Sequence, residues 1–499
     1  MSFSCSTGQA AAWYGVAIYG SHGRVSFRQI GQIFDPSTVD ASLEHDGSGG
    51  LPGVQYPPGG WDLRAHNGRV VTVNEEVLGR WAQLFDEPGT PALEARLLRP
   101  VTTSDLGALD ILSTQRQRLS HHVYSFTQGL NETNAKRDGT IRWETGQPGS
   151  WDEVVLQGPH FTVATPLSQQ PRPQCRNAQD YDAFNLELLP AQIVPRTNYQ
   201  RDCDRDTYVA RLDHWNGRPF TDHWRVAWRA MVDAGTERSL HAALVPPGPA
   251  HVNAVFTLHS TPELTTRIAG LWSTLPFDYL AKQAGRSNLH LDVMNRFPLP
   301  VSSQFYRPLV HRTLRLNCLT RDYESLWVEL FDPVWRRDSW SAPQLGRTPL
   351  DGFQTTWTQQ TPLRSDQDRR AALVELDALA ALTLGLTAEQ LCAMYRTQFA
   401  VLRKYEHQMV FDAEGRKLCA FHQSAGYRQS QLQDEAKAGK LPKEWQNLWK
   451  LYLQHEADPG SVDWLGHYTP PFTRADREAE MTRAYNEFAA RAAAGEYDD

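Results

Sequence analysis

Hydrophobic spacing changes its period part-way along this 499-residue chain, and that change sets which architectures are open to it. Beyond residue 365 the apolar residues recur at helical spacing. Ser365 with Asp368 has the form of a capping box before a helix carrying Leu373, Leu376, Ala380 and Leu384, and Gly385 is placed to stop it. Thr387 with Gln390 starts a second helix through Leu391, Met394, Tyr395, Phe399 and Leu402, and Thr473 to Ala494 reads as a last, charged helix. Residues 111–300 instead break into short strand-like runs. Asp138-Gly139 marks a turn before the alternating Ile141-Arg142-Trp143-Glu144, and Ser239 to Val245 is an apolar strand stopped by Pro246 and Pro247.

One ordinary core cannot absorb a chain of this length, so two or three domains are expected. We place them at 1–110, 111–305 and 306–499. The fold class expected is α+β, with a mixed α/β region followed by a helical C-terminal domain. In the first region Gly15–Gly20 and Gly23–Gly31 read as strands, and Asp46 to Gly60 must be loop. Val77 to Phe85 reads as a helix with Val77, Leu78, Trp81 and Leu84 on one side. Leu264, Ile268, Leu271, Leu275 and Tyr279 predict a further helix, kinked or broken at Pro276 and ended by Gly285.

Composition removes several function classes. Hydrophobic residues at 40% and charged residues at 21% are globular values. Fifty Lys+Arg against 57 Asp+Glu leave a net charge of −7, so a nucleic-acid face has to be a local patch. Cys5, Cys175, Cys203, Cys318, Cys392 and Cys419 are scattered, which argues against a zinc site and a disulfide framework and for a cytoplasmic protein. The N-terminus lacks the pattern of a secretory signal, and no run of about 18 apolar residues predicts a membrane span.

Known catalytic motifs find no good match. The loop of an adenine methyltransferase needs Asn or Asp before Pro-Pro-aromatic to hold the amino group of a flipped base. Tyr468-Thr469-Pro470-Pro471-Phe472 has Thr469 at that place and reads as a rigid loop. Asp434-Glu435-Ala436-Lys437 has nuclease-like letters in a stretch that reads as an exposed helix. His121-His122 lacks a third ligand nearby, and neither GxxxxGK[ST] nor GxGxxG occurs. No catalytic residue, metal ligand or cofactor loop is therefore assigned.

Three segments combine polar and cationic side chains suited to phosphates and base edges. The first runs from Asn131 to Arg142 and offers Asn131, Asn134, Lys136, Arg137 and Arg142. The second, Asp222 to Leu244, interleaves arginine with aromatics and offers Arg225, Arg229 and Arg238, although a half-buried strand with a local Glu237–Arg238 pair fits equally. The third, Leu275 to Val301, has Lys282, Arg286, Ser287 and Asn288 around Gly285.

Their order along the chain resembles the target-recognition region of type IIG-like restriction–modification enzymes and of the adenine-specific DNA methyltransferases of BREX- or DISARM-like phage-defence systems. The resemblance rests on Asn131-Glu132-Thr133 with Arg137-Asp138-Gly139-Thr140-Ile141-Arg142, on Glu237-Arg238-Ser239-Leu240, on Phe277-Asp278-Tyr279 followed by Lys282 and Gly285, and on Phe297-Pro298-Leu299-Pro300. The helical stretch from Ala372 to Glu406 adds to it. It spans roughly residues 70–485 and implies a mixed target-recognition domain followed by a helical domain.

The resemblance further implies a bacterial specificity subunit that reads double-stranded DNA for a methyltransferase carried on another chain. S-adenosylmethionine would sit on that partner, and other defence-complex subunits could join. Members of the family carry a methyltransferase domain before this region, and this sequence opens at Met1 without one, so a split gene or a fragment is expected. Two other readings stay open: an assembly subunit that binds no DNA, and a degenerate methyltransferase or nuclease.

Overall fold

The computed structural model describes residues 23–56, 60–177, 180–233, 235–342, 347–421 and 425–497, and the backbone of 2–3 and 16–17. Of the expected strand Gly15–Gly20, Val16–Ala17 is described and is a strand; the remainder lies outside the described residues, as do Cys5 and residues 57–59 of the expected loop.

In chain order, β1 (Ser26–Gln29) pairs antiparallel with β2 (Val71–Asn74), which leads into α1 (Glu75–Phe85) and α2 (Thr103–Ser113). There follow β3 (Ser125–Thr127), α3 (Glu132–Arg137), β4 (Ile141–Gly146), β5 (Thr197–Arg201) and α4 (Arg205–Arg211). Three strands come next, β6 (Arg225–Arg229), β7 (Ala242–Val245) and β8 (Val255–His259). Helices α5 (Pro262–Trp272), α6 (Leu275–Gln283), α7 (Leu291–Met294) and α8 (Tyr306–Asn317) succeed them. The C-terminal part holds α9 (Asp366–Leu384), α10 (Ala388–Gln398), α11 (Ala400–His407), β9 (Met409–Phe411) and β10 (Lys417–Cys419). It ends with α12 (Tyr427–Lys437), α13 (Leu448–Gln454), β11 (Thr473–Arg474) and α14 (Arg477–Ala493). Helices and small sheets are thus mixed, an α+β arrangement.

Local chemistry explains most of the boundaries. Asn74 caps α1 by accepting from the Val77 amide, and Val77, Leu78, Trp81 and Leu84 are buried as their spacing predicts. Ser365 caps α9 and Gly385 ends it with φ 74°, a left-handed conformation that glycine adopts without a Cβ penalty. Thr387 and Gln390 form the reciprocal capping box of α10. The helix expected across Leu264–Tyr279 is divided at Ser273–Thr274 into α5 and α6, with Pro276 in the first turn of α6, where no amide donor is needed. The last helix starts at Arg477, later than expected, because Thr473–Arg474 is drawn into pairing with β9.

The central sheet has the antiparallel order β7-β6-β8-β3. Its two faces are both covered. Val226, Trp228, Leu244, Phe256 and Leu258 join the largest apolar core, together with Ile268, Leu271, Leu309, Leu376 and Phe488. Ala227, Ala243, Val245 and Val255 face a second core with Trp151, Leu156, Phe161 and Leu319. Strand residues alternate sides, which is why neighbours such as Val226 and Ala227 belong to different cores. The largest core takes residues from Val71 through Phe488, and so from each of the three expected regions. A satellite core of Leu130, Ala135, Ile141, Tyr199, Tyr208 and Trp215 supports α3, β4, β5 and α4.

Helix α5 lies tight on α8. A Cβ built on Gly270 would overlap Thr313 Oγ1 and come 2.7 Å from Leu309 Cδ2. Among the described residues no helix is long and apolar enough to cross a membrane.

Candidate nucleic-acid interface

The first segment folds differently from the turn expected of it. Asn131 caps α3 through the Asn134 amide, so Glu132 to Arg137 is helical, and Gly139 at φ 70° turns the chain into β4. A helix this short shows no period in the sequence. Asn131, Asn134, Lys136 and Arg137 are exposed on it. Lys136 pairs with Glu132 at 3.2 Å, and the Arg137 guanidinium donates to Asn134 Oδ1 at 3.0 Å.

Strands β4 and β5 form a two-stranded antiparallel ribbon. Trp143 stands opposite Tyr199 and Arg142 opposite Gln200, with a register shift between Thr197 and Tyr199. Residues opposite one another share a face. Ile141 and Tyr199 turn inward to the satellite core, and Trp143, 43% exposed, sits edge-on to Tyr199 at 5.1 Å. The Tyr199 hydroxyl donates to Glu132, and Lys136 lies 5.9 Å above the Tyr199 ring.

The other face carries Arg142, Glu144 and Gln200. Arg142 donates to Glu144 Oε2 at 2.7 Å, to Asp202 Oδ1 at 3.0 Å and to Gln200 Oε1 at 3.0 Å. Those carboxylates raise the pKa of Arg142 above its ordinary value, so it is a permanent cation. Arg142, Glu144 and Asp202 are each about half exposed, with side-chain values of 45%, 51% and 40%, so the pairings are held in high dielectric. Exposed pairs of this kind add little to stability and exchange readily for another partner. Arg211 on α4 borders the patch, donating to Thr140 Oγ1 at 2.8 Å.

The second segment overturns the expectation of a nucleic-acid surface. Arg225 has 0% exposure inside β6, where Nε donates to the carbonyl of His223 and Nη2 to those of Pro246 and Pro249. Burial lowers its pKa to about 9. Arg229 donates to the Phe161 carbonyl and lies over that residue's ring, and burial brings its pKa to about 10. Arg238 is buried against Asp278, with Nε 2.6 Å from Oδ2 and Nη2 donating to the Ser273 carbonyl at 2.9 Å. These three arginines hold segments of the fold together; the Arg225 Nη1 and Arg229 Nε that take no partner are themselves buried, so no donor face is open to a phosphate. The strand weighed for this segment is found, but it is buried on both faces and not half-buried, and Arg238 takes Asp278, not Glu237, as its partner.

The third segment forms a loop pinned to the end of the central sheet. Ser287 accepts from the Val232 amide through its carbonyl, the Leu289 amide donates to the Ala230 carbonyl, and the Trp228 indole donates to the Leu289 carbonyl. Gly285, at φ 62°, makes the turn out of α6. Lys282 is half-buried, 5.2 Å from the Phe399 ring, and burial lowers its pKa. Arg286 and Ser287 are exposed and Asn288 is half-buried, with its amide on Ser287 Oγ. Arg286 also lines a hollow of about 300 Å³ with Arg96, Asp292 and Arg296.

The structure therefore places Asn131, Asn134, Lys136 and Arg137 on or at the start of α3, packed against the ribbon whose other face carries Arg142, and gathers Lys282, Arg286, Ser287 and Asn288 around a second loop. Trp143 and Gln200 were missed from the sequence. Trp143 lies on the face opposite Arg142, and the half-buried Gln200 shares the Arg142 face only through pairing with a strand 58 residues on, which nothing local in the sequence marks. Among the described residues no group of three or more His, Cys, Asp or Glu side chains is placed to hold a metal ion. Thr469, in the Pro-Pro loop, is held by Arg416 at 2.8 Å and donates to Glu414, as a structural loop residue would. No protein-family model matches the chain, and no curated protein matches it.

Proposed function

We propose that this chain is the DNA-reading subunit of an adenine-specific DNA methyltransferase or restriction–modification system, with the methyltransferase and its S-adenosylmethionine on a partner polypeptide. In this reading a mixed target-recognition domain is followed by a helical domain that braces it, in the cytoplasm of a bacterium. The observation that carries the reading is the outer face of the β4–β5 ribbon. A two-stranded ribbon fits the major groove, which is about 12 Å wide. The face presents an arginine, a glutamine and a glutamate in adjacent positions. These match the donor and acceptor patterns of guanine, adenine and cytosine edges respectively.

Lys136, Arg137 and Arg211 are exposed cations on the helices next to the ribbon and suit the phosphates, which position the protein without reading sequence. In the free protein Glu144 and Asp202 hold Arg142 extended across the ribbon, so the guanidinium is ordered before it meets a base. Arg286, Ser287 and Asn288 supply a second contact on their loop. The net charge of −7 confines binding to such local surfaces.

Selection from a randomised duplex pool tests the proposal. The purified chain should enrich a defined motif, and Arg142→Ala with Gln200→Ala should abolish the preference while far-ultraviolet circular dichroism stays unchanged. A folded chain that enriches no sequence, alone or with the partner methyltransferase, refutes it and favours the assembly-subunit reading.

A further inference from the structure

Beside the hollow at Arg286 lies a larger cleft, of about 480 Å³, between α1 and the two stretches of chain that carry Arg118–His121 and Asn295–Arg296. Those stretches run alongside each other: the Leu119 amide donates to the Phe297 carbonyl and the Leu299 amide to the Gln117 carbonyl. A cleft of this size is in the range that holds a small ligand.

Its polar groups are mostly donors. Arg118 is half-buried, and its guanidinium donates to the carbonyls of Arg296 at 2.7 Å and Ser113 at 3.2 Å. Among the described residues it makes no ion pair with a carboxylate. Burial lowers its pKa to about 10, and the neighbouring Arg296 cation adds to the shift. Arg296 itself donates to the Asp86 carbonyl and pairs with Glu87, whose side chain is 83% exposed and can swing away. The Asp86 carboxylate is taken by Arg96, 2.9 Å away. His121 accepts from the Arg118 amide at Nδ1, which places its own proton on Nε2. Asn295, on the cleft wall, accepts from the Tyr124 hydroxyl at Oδ1, which leaves its amide nitrogen as a donor. The Ser120 hydroxyl completes the set.

A half-buried cation beside a like charge, in an open cleft lined by hydroxyl, imidazole and amide donors, is an arrangement that an anion stabilises. We propose that this cleft binds a phosphate group, carried either by a free nucleotide or by a nucleic-acid strand. The proposal uses none of the ribbon residues, so it can fail or hold independently of the DNA-reading role.

The test is calorimetric titration of the full chain with pyrophosphate, adenosine monophosphate and a single-stranded oligonucleotide without terminal phosphates. The blocking variant is Gly79→Glu. Gly79 lies on the cleft wall in α1, and a Cβ there meets only Ala92 Cβ at 3.8 Å, so the helix accepts the side chain while its carboxylate enters the cleft. A second variant, Ser120→Ala with His121→Ala, removes two exposed donors without touching the core.

Binding of pyrophosphate and the nucleotide, weakened at least tenfold by both variants, supports a free phosphate ligand. Binding of the oligonucleotide alone, weakened in the same way, supports a strand phosphate. Failure of all three ligands to bind the folded wild-type chain overturns the proposal. So does binding that survives both variants, because the anion then sits elsewhere.

Discussion

Removing the Asp278 carboxylate should cost the fold far more than any surface substitution. Asp278 has 0% exposure on α6 and accepts from Arg238 Nε at 2.6 Å and from the backbone amides of Ser239 and Leu240 at 3.0 and 3.2 Å. Asp278→Ala therefore strands a buried guanidinium and two buried amides at once. Deleting one partner of a buried ion pair costs about 3–5 kcal/mol, and an unsatisfied buried donor costs about 1–3 kcal/mol. These contributions overlap, so about 4 kcal/mol is expected, a large share of the roughly 5–15 kcal/mol that holds a domain folded. The assay is urea unfolding followed by tryptophan fluorescence; Trp228 and Trp272, in edge contact at 5.1 Å in the same core, report on this region. The double variant Asp278→Leu with Arg238→Met should recover much of the loss, since no lone charge is left buried. A loss below about 1 kcal/mol for Asp278→Ala would refute the assignment of Arg238 to the interior.

Gly270→Ala should destabilise by about 1–3 kcal/mol despite alanine's better helix propensity, because the new Cβ overlaps Thr313 Oγ1; Gly270→Ala with Thr313→Ala should recover part of it in the same denaturation assay. Thr387→Ala should cost about 1 kcal/mol by removing half of the α10 capping box, measured by thermal unfolding. Stability should fall as pH drops from about 6.5 toward 4. Burial lowers His241 and His251 to about 3 and His311 to about 4 in the fold, so in that window the unfolded chain binds more protons. Asp105, raised by burial to about 7, opposes this, as do Asp110, Glu237 and Asp377, which burial also raises, since the folded state keeps protons that the unfolded state loses. Burial lowers His160, His223, His259 and His407 as well, however, so the histidines outnumber these carboxyls. A denaturation midpoint flat across that range would contradict the three neutral histidines.

What the sequence disclosed follows the range of each interaction. Ser365, Thr387 and Gly385 act within four residues of where they stand, so the helices they bound were legible. The burial of Arg225 was not, because the carbonyls that receive it belong to Pro246 and Pro249, which stand 21 and 24 residues on. Arg238 is set by Asp278, 40 residues away. The Arg–aromatic alternation in β6 looked like a nucleic-acid surface because a strand covered on both faces shows no polar side to betray it. Arg118 was overlooked for the same reason of distance, since its cleft exists only through pairing with a segment 178 residues later. Arg142 was recognised because it stands in a polar run just after the Asp138-Gly139 turn, although the partners that hold it, Gln200 and Asp202, lie 58 and 60 residues on.

The most direct test of the DNA-reading role is fluorescence anisotropy of a labelled duplex bearing the selected motif, titrated with the chain at about 50 and about 200 mM salt. The account predicts binding that weakens with salt, a shallower salt slope for Lys136→Ala with Arg137→Ala, and loss of sequence preference with little change in slope for Gln200→Ala. Equal affinity of the wild-type chain and all these variants, with Gln200→Ala still preferring the motif, would contradict it.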